Sequence, residues 1–325
     1  MSEGYNVAVV GAGLVGEKLV SELYRRGFPV RDLRVLARTA RTAELAGRTF
    51  DIGVAEPEAF EGVDIALFAG TEGEKGAAVR LAREAIARGA TVIDNGSDFR
   101  LDPEVPLVVP EVNPHALENH RGLIANPNCS TIQMVVALAP IARSFGLERV
   151  VVSTYQAVSG AGRAGVEALE MGSGDAFPKP ISGNVLPLIG SVGEDGYTTE
   201  ERKMREESRK ILEMPSLPVH ATTVRVPVHT GHAESVYVET SEEVTLDEVL
   251  SALSEAPGIE PYADPLQAPT PIEVVGDPKV HVGRVRAEGN VVELWCVADN
   301  LLKGAATNAV QIAEALVGVG APKAV

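Results

Sequence analysis

The 325-residue chain is 45% apolar, enough for two hydrophobic cores, and its formal net charge of -16 sets a field that repels a phosphate backbone, so nucleic-acid binding is not expected. Two distant cysteines, Cys129 and Cys296, offer no disulfide framework, and the start of the chain shows no basic-then-apolar signal pattern. No apolar run approaches the ~18 residues of a membrane span, so a reducing cytoplasm, with no membrane partner, is the expected location.

Residues 5–10 are a β-branched run, followed by Gly11-Ala12-Gly13-Leu14-Val15-Gly16 and an amphipathic stretch through Leu19, Val20, Leu23 and Tyr24. This reads as strand, glycine turn and helix. Gly11 and Gly13 let the backbone turn tightly against a pyrophosphate, Gly16 lets helix and strand pack closely, and the helix start faces the phosphates. Residues 33–37 supply the second strand of a βαβ unit. Where an NAD-selective site carries an acidic residue, this chain has Arg38, Thr39, Arg41 and Thr42, a cluster suited to the 2′-phosphate of NADP. A strand at 63–69, a helix at 76–88 and a strand at 91–94 continue the alternation and predict a parallel sheet covered on both faces. The loop 94–100, at the carboxyl end of that strand, holds Arg100 as a candidate anion contact.

Stretches 107–110 and 122–125 lead to Asn126-Pro127-Asn128-Cys129-Ser130-Thr131-Ile132-Gln133. From Thr131 the apolar residues recur at helical spacing up to Gly146, which puts Cys129 at a helix N-terminus. Unpaired N–H groups and the helix dipole there favour an anion, so a thiol of reference pKa ~8.5 ionises more readily and becomes a nucleophile.

Beyond Cys129 the texture changes. Strand-like runs at 148–157, 222–228, 234–239 and 291–297 are separated by long Gly- and Pro-rich connections, notably 159–196, which fits an α+β domain with a largely antiparallel sheet. A last helix, 305–317, is placed to return to the first domain. Gln156 ends a strand before a turn-rich loop. Arg225 lies near the end of another strand and is suited to two-point carboxylate binding, with His232 in the turn after it as an acid–base candidate and His229 as its competitor. Glu200, Lys203, Glu207 and Lys210, three or four residues apart, read as a solvated, salt-bridged helical stripe. No His/Cys cluster has metal-ligand spacing, so no metal is expected.

Taken together, Asn126 to Thr131, Thr154 to Gly162, Arg225 to Val228 with Thr230-Gly231-His232, Asp299 to Ala306 and Asn308 to Gln311 resemble the aspartate-semialdehyde dehydrogenase family over nearly the whole chain. The resemblance implies a Rossmann-like dinucleotide-binding domain, 1–127 with 305–325 returning to it, and a catalytic and dimerisation domain, 128–304, with a mixed, largely antiparallel sheet. It implies a cytoplasmic homodimer or dimer of dimers that uses NADPH to convert L-4-aspartyl phosphate to L-aspartate 4-semialdehyde in amino-acid biosynthesis. By the same resemblance Cys129 is the nucleophile, His232 the acid–base catalyst and Gln156 the residue holding the reacting substrate. Arg225 grips the α-carboxylate, Glu200 meets the amino group, and Arg100, Asn128 and Lys203 form the phosphate site. Cofactor contacts fall to Gly11, Gly13, Leu14, Val15 and Gly16, to Arg38, Thr39 and Arg41, and to Ser159, Gly160, Asn300 and Gln311, with either Arg38 or Arg41 matching the family's arginine. N-acetyl-glutamyl-phosphate reductase, with similar cysteine chemistry, and a catalytically silent nucleotide-binding homologue are the alternatives.

Overall fold

The computed structural model describes residues 4–70, 76–172 and 175–319, and the chain divides into two units, Met1–Pro127 with Ala305–Val325 and Asn128–Gly304. Of the expected first domain, residues 1–3, 71–75 and the tail 320–325 lie outside the described residues.

In the first unit, β1 (Tyr5–Val10), α1 (Leu14–Arg25), β2 (Val30–Ala37), β3 (Arg41–Leu45), β4 (Arg48–Val54), β5 (Ile65–Phe68), α2 (Ala77–Ala87), β6 (Thr91–Asp94) and β7 (Leu123–Ala125) follow in order. The sheet runs β3-β4-β2-β1-β5-β6-β7 and is parallel except for the β3–β4 pair. Its central strands are buried on both sides, as their unbroken apolar runs predict. Leu19, Val20 and Leu23 of α1 share one core with Val310 and Ile312 of the closing helix Thr307–Val317, while Leu81, Ala82 and Ala85 of α2 fill the other. That closing helix is tied to α1 by polar contacts as well: Thr307 Oγ1 donates to the buried Glu22 at 2.8 Å, and Arg26 pairs with Glu314 at 2.6 Å.

The β3–β4 hairpin is not expected from the sequence, in which 38–42 is the cofactor-selecting segment that follows the second strand. Its turn is Ala46-Gly47, both at positive φ (51° and 71°), where asparagine or glycine is the usual first residue. The 107–110 stretch makes only an isolated bridge, Leu107 to Ala125.

The second unit comprises α3 (Cys129–Phe145), β8 (Arg149–Gln156), α4 (Gly162–Met171), α5 (Thr199–Ile211), β9 (Val219–Arg225), β10 (His232–Glu239), α6 (Leu246–Glu255), β11 (Ile259–Pro261), β12 (Val280–Glu288) and β13 (Val291–Ala298). The sheet order is β11-β12-β13-β10-β8-β9, antiparallel through the middle and parallel at both ends. Helices α4 and α6 and strands β11 and β12 are additions to the sequence reading, in which α4 lies inside a long Gly- and Pro-rich connection. A register shift in β12 between Gly283 and Arg286, with Arg284 at φ 53°, breaks the alternation that would mark it.

Helix α3 is apolar on every side, as befits a core helix, and packs against β10, β12, β13, α5 and α6. Beneath it, fully buried Glu234 on β10 neighbours the Gln133 carboxamide, but burial dominates and pushes the carboxyl well above its usual pKa. The folded state thus keeps a proton that the unfolded chain releases above pH ~4.3, so the site costs stability increasingly as pH rises from there. Glu234→Gln removes that cost. Its Tm should exceed wild type at pH 8, by about 2–4 °C for each ~1 kcal/mol gained in a unit of this size, with the gap narrowing toward pH 5. A gap that ignores pH in scanning calorimetry would rule the neutral acid out.

Candidate active site

Three polar side chains gather at one end of the second sheet because of strand polarity. Gln156 and Arg225 close the parallel strands β8 and β9 directly opposite one another, and antiparallel β10 starts at that end with His232. His232 is therefore a strand residue rather than a turn residue. It is fully buried, whereas its competitor His229 is exposed beside Glu170.

Cys129 opens α3, and Asn128 caps it: the Asn128 side-chain oxygen accepts the N–H groups of Ser130 at 3.0 Å and Thr131 at 3.2 Å. The cap thus occupies both of those backbone donors. The remaining polar end of Asn128 donates to Glu200 at 2.9 Å, and its backbone N–H donates to Glu207 at 2.7 Å. A phosphate contact from Asn128 has to compete with these bonds.

The charged stripe on α5 is the larger correction. Glu200 and Glu207 are buried, not solvated, because α5 packs on α3 and β9. Glu200 also accepts from Gln156 Nε2 at 3.3 Å and pairs with half-buried Lys203 at 3.8 Å. Glu207 is a site residue that the sequence reading left without a role: it holds the backbone beside the cysteine. Helical spacing places it on the same stripe as Glu200 but gives no sign that the stripe is buried.

Arg225 is buried, donates through Nη1 to the Ala157 carbonyl at 2.7 Å, lies 5.8 Å from the Phe177 ring, and leaves its Nε without a hydrogen-bond partner. Burial lowers its pKa while the charges of Glu200 and Cys129 hold it up. His232 is pushed well below the usual histidine range by burial and then by Arg225, so its ring is neutral. Its Nδ1 accepts the Ala157 N–H at 3.0 Å, which puts the ring proton on Nε2, and Nε2 has no partner in the protein. Gly160 borders both groups: a Cβ there would lie 2.7 Å from Arg225 Nη1 and 3.1 Å from His232 Nε2. Ser159 and Asn300 bond each other at 3.0 Å, and Asn300 also accepts the Gly231 N–H at 2.9 Å.

The first unit holds the other expected residues. Gly11 sits at φ 111°, and a Cβ on Gly16 would fall 1.8 Å from the Gly11 carbonyl oxygen, so both positions require glycine. Open space lies above Gly13, which starts α1 without a side-chain cap, ahead of Leu14 and Val15; this is a cradle that a dinucleotide pyrophosphate fits. Arg38, Thr39 and Arg41 are exposed past β2, and neither arginine is in an ion pair among the described residues, while Thr42 is bonded to Asp51 at 2.9 Å. Arg100 is buried after β6 and donates to the Asn95 carbonyl at 2.7 Å, and Gln311 donates to Glu111 at 2.8 Å. Among the described residues no His, Cys, Asp and Glu group is arranged to hold a metal, and no helix is long and apolar enough to cross a membrane.

Residues 6–120 match the family model described as semialdehyde dehydrogenase, NAD binding domain, and residues 138–303 match its dimerisation domain. The chain is 47% identical to aspartate-semialdehyde dehydrogenase of Bacillus subtilis, covering 97% of this chain and 98% of the relative, and 46% identical to that of Aquifex aeolicus, covering 98% and 99%. Among solved structures it is similar to aspartate semialdehyde dehydrogenase II of Vibrio cholerae complexed with ASA, with a TM-score of 0.92, 44% identity, and 98% and 99% of the two chains covered.

Proposed function

We propose that this chain, which belongs to the aspartate-semialdehyde dehydrogenase family, makes L-aspartate 4-semialdehyde from L-4-aspartyl phosphate with NADPH, through a thioester on Cys129. The observation that carries the mechanism is the convergence, within one unit, of a cysteine at a helix start with buried Gln156, Glu200, Arg225 and His232.

Arg225 takes the α-carboxylate of the substrate and Glu200 its ammonium group, which orients the acyl carbon toward Cys129. The thiolate attacks that carbon, the oxyanion collapses, and phosphate leaves toward Lys203. Hydride for reduction of the thioester is the chemistry that NADPH would supply when held by the glycine turn of the first unit. The tetrahedral oxygen then reforms a carbonyl and expels the Cys129 thiolate, and neither collapse requires a base once the thiol is ionised. With its lone pair engaged by Ala157, His232 acts here as an Nε2–H donor that steadies the oxygen in both tetrahedral states. To act as a base, the ring has to release Ala157 and change tautomer. Gln156 Nε2 is the second donor within the same cluster.

The glycine turn at Gly11 to Gly16 is assigned to the pyrophosphate. Arg38, directly after β2 at the carboxyl edge of the sheet, is assigned to the 2′-phosphate; Arg41 is a residue of the β3 hairpin. The match to a dimerisation domain supports a homodimer; a dimer of dimers and a cytoplasmic location belong to the same proposal.

The deciding assay follows the reverse reaction. Purified protein should oxidise L-aspartate 4-semialdehyde only when phosphate is present, with NADP preferred to NAD, and Arg38→Ala should narrow that preference. Turnover of N-acetyl-glutamate semialdehyde instead would favour the reductase of the acetylated substrate.

A further inference from the structure

The segment from Asp299 to Gly304 is anchored from within. Buried Asp299 accepts the N–H groups of Leu301 at 2.9 Å and Leu302 at 3.2 Å through one carboxylate oxygen and that of Gly276 at 3.0 Å through the other, and its carbonyl accepts the Gly304 N–H at 3.2 Å. The segment then enters a π-helical turn, Leu302–Ala306, a distortion that recurs at functional sites. Gly304 lies in this turn beside the nucleophile residue. A Cβ there would lie 2.9 Å from the Cys129 Cβ and 3.3 Å from its Cα. Gly304 is not in the left-handed region, so its backbone would accept alanine, which is also the better helix former. Only Cys129 excludes the side chain. The same segment bears on His232, because Asn300 accepts the N–H of the preceding Gly231 at 2.9 Å.

We propose that Gly304 is a positioning residue: its missing side chain lets the Asp299-anchored segment press on Cys129 and hold the thiol toward the site, so that nucleophile and histidine are set from one scaffold. This rests on Cys129 being the nucleophile.

The test is Gly304→Ala in the full chain, with two readouts. The first, independent of turnover, is the pH profile of Cys129 alkylation by iodoacetamide, followed by peptide mass spectrometry; Cys296 is buried. The second is kcat and KM for semialdehyde and NADP. The expected result is an altered alkylation rate and profile at Cys129, with kcat reduced roughly 10- to 100-fold, the scale of an ångström-level misplacement, and KM for NADP unchanged. A wild-type profile with kcat within about twofold of wild type overturns the proposal. Should Gly304→Ala fold poorly, Gly304→Ala with Cys129→Gly removes the opposing Cβ. A Tm above that expected from the two single changes supports the contact, and strict additivity overturns it. If wild-type protein turns over no semialdehyde, the functional reading fails, while alkylation and the double-mutant cycle still judge the contact.

Discussion

Cys129→Ala is expected to lower kcat by at least about 10^4-fold while leaving nucleotide affinity unchanged within about twofold. The size follows from covalent catalysis: without the thiolate no thioester forms, and hydride has no acceptor better than the acyl phosphate itself. Cys296 provides no substitute. It is fully buried, and that burial pushes its thiol well above the usual range. Mass spectrometry after mixing with semialdehyde, NADP and limiting phosphate should show an acyl adduct on wild type and none on the variant. An active Cys129→Ala enzyme would falsify the nucleophile assignment. Unchanged nucleotide affinity is expected because the glycine turn assigned to the cofactor belongs to the other unit of the chain.

Arg225→Lys should cost roughly 10- to 150-fold in kcat/KM, expressed mainly as a higher KM for semialdehyde. The range corresponds to one charge-assisted hydrogen bond of ~1.5–3 kcal/mol, at ~1.36 kcal/mol per tenfold. Lysine keeps the charge but loses the planar fork, and its shorter reach has to serve both the Ala157 carbonyl, bonded at 2.7 Å by the guanidinium, and the substrate carboxylate. A second signature separates this from simple misfolding. Burial lowers the pKa of any cation at this position, and an ammonium starts from a lower value than a guanidinium, so the variant should lose kcat/KM as pH rises above neutrality where wild type does not. Kinetics indistinguishable from wild type across that range would remove Arg225 from the substrate site.

Much of the architecture was legible because local pattern and global fold agree. The glycine turn after β1, the alternation of strands and helices up to β6, and the change to a mostly antiparallel second sheet all appear in the structure as read. Elements with weak local signals are among those missed, although α6, with its Thr245–Glu248 capping box, is missed despite a clear one. The β3–β4 hairpin turns on an alanine at positive φ, β12 is interrupted by a bulge, and α4 follows directly from a glycine-rich loop.

At the candidate site the division is sharper. A cysteine at a helix start is a local property, set by an asparagine cap before it and helical spacing after it, and the sequence by itself determines that. Which polar groups meet that helix start is not local. Spacings of three and four residues are the same for a solvated stripe and for a buried one, so nothing within 199–211 distinguishes Glu200 and Glu207 from surface charges. Tertiary packing decided it, by laying α5 against α3 and joining Glu207 to the Asn128 N–H across 79 residues of chain. The same holds for the tautomer of His232, decided by the backbone of Ala157, and for Gly304, whose neighbour Cys129 lies at the far end of the unit's sequence. Burial makes each of these contacts matter, because polar groups removed from water must find partners and close packing leaves no room for an extra carbon.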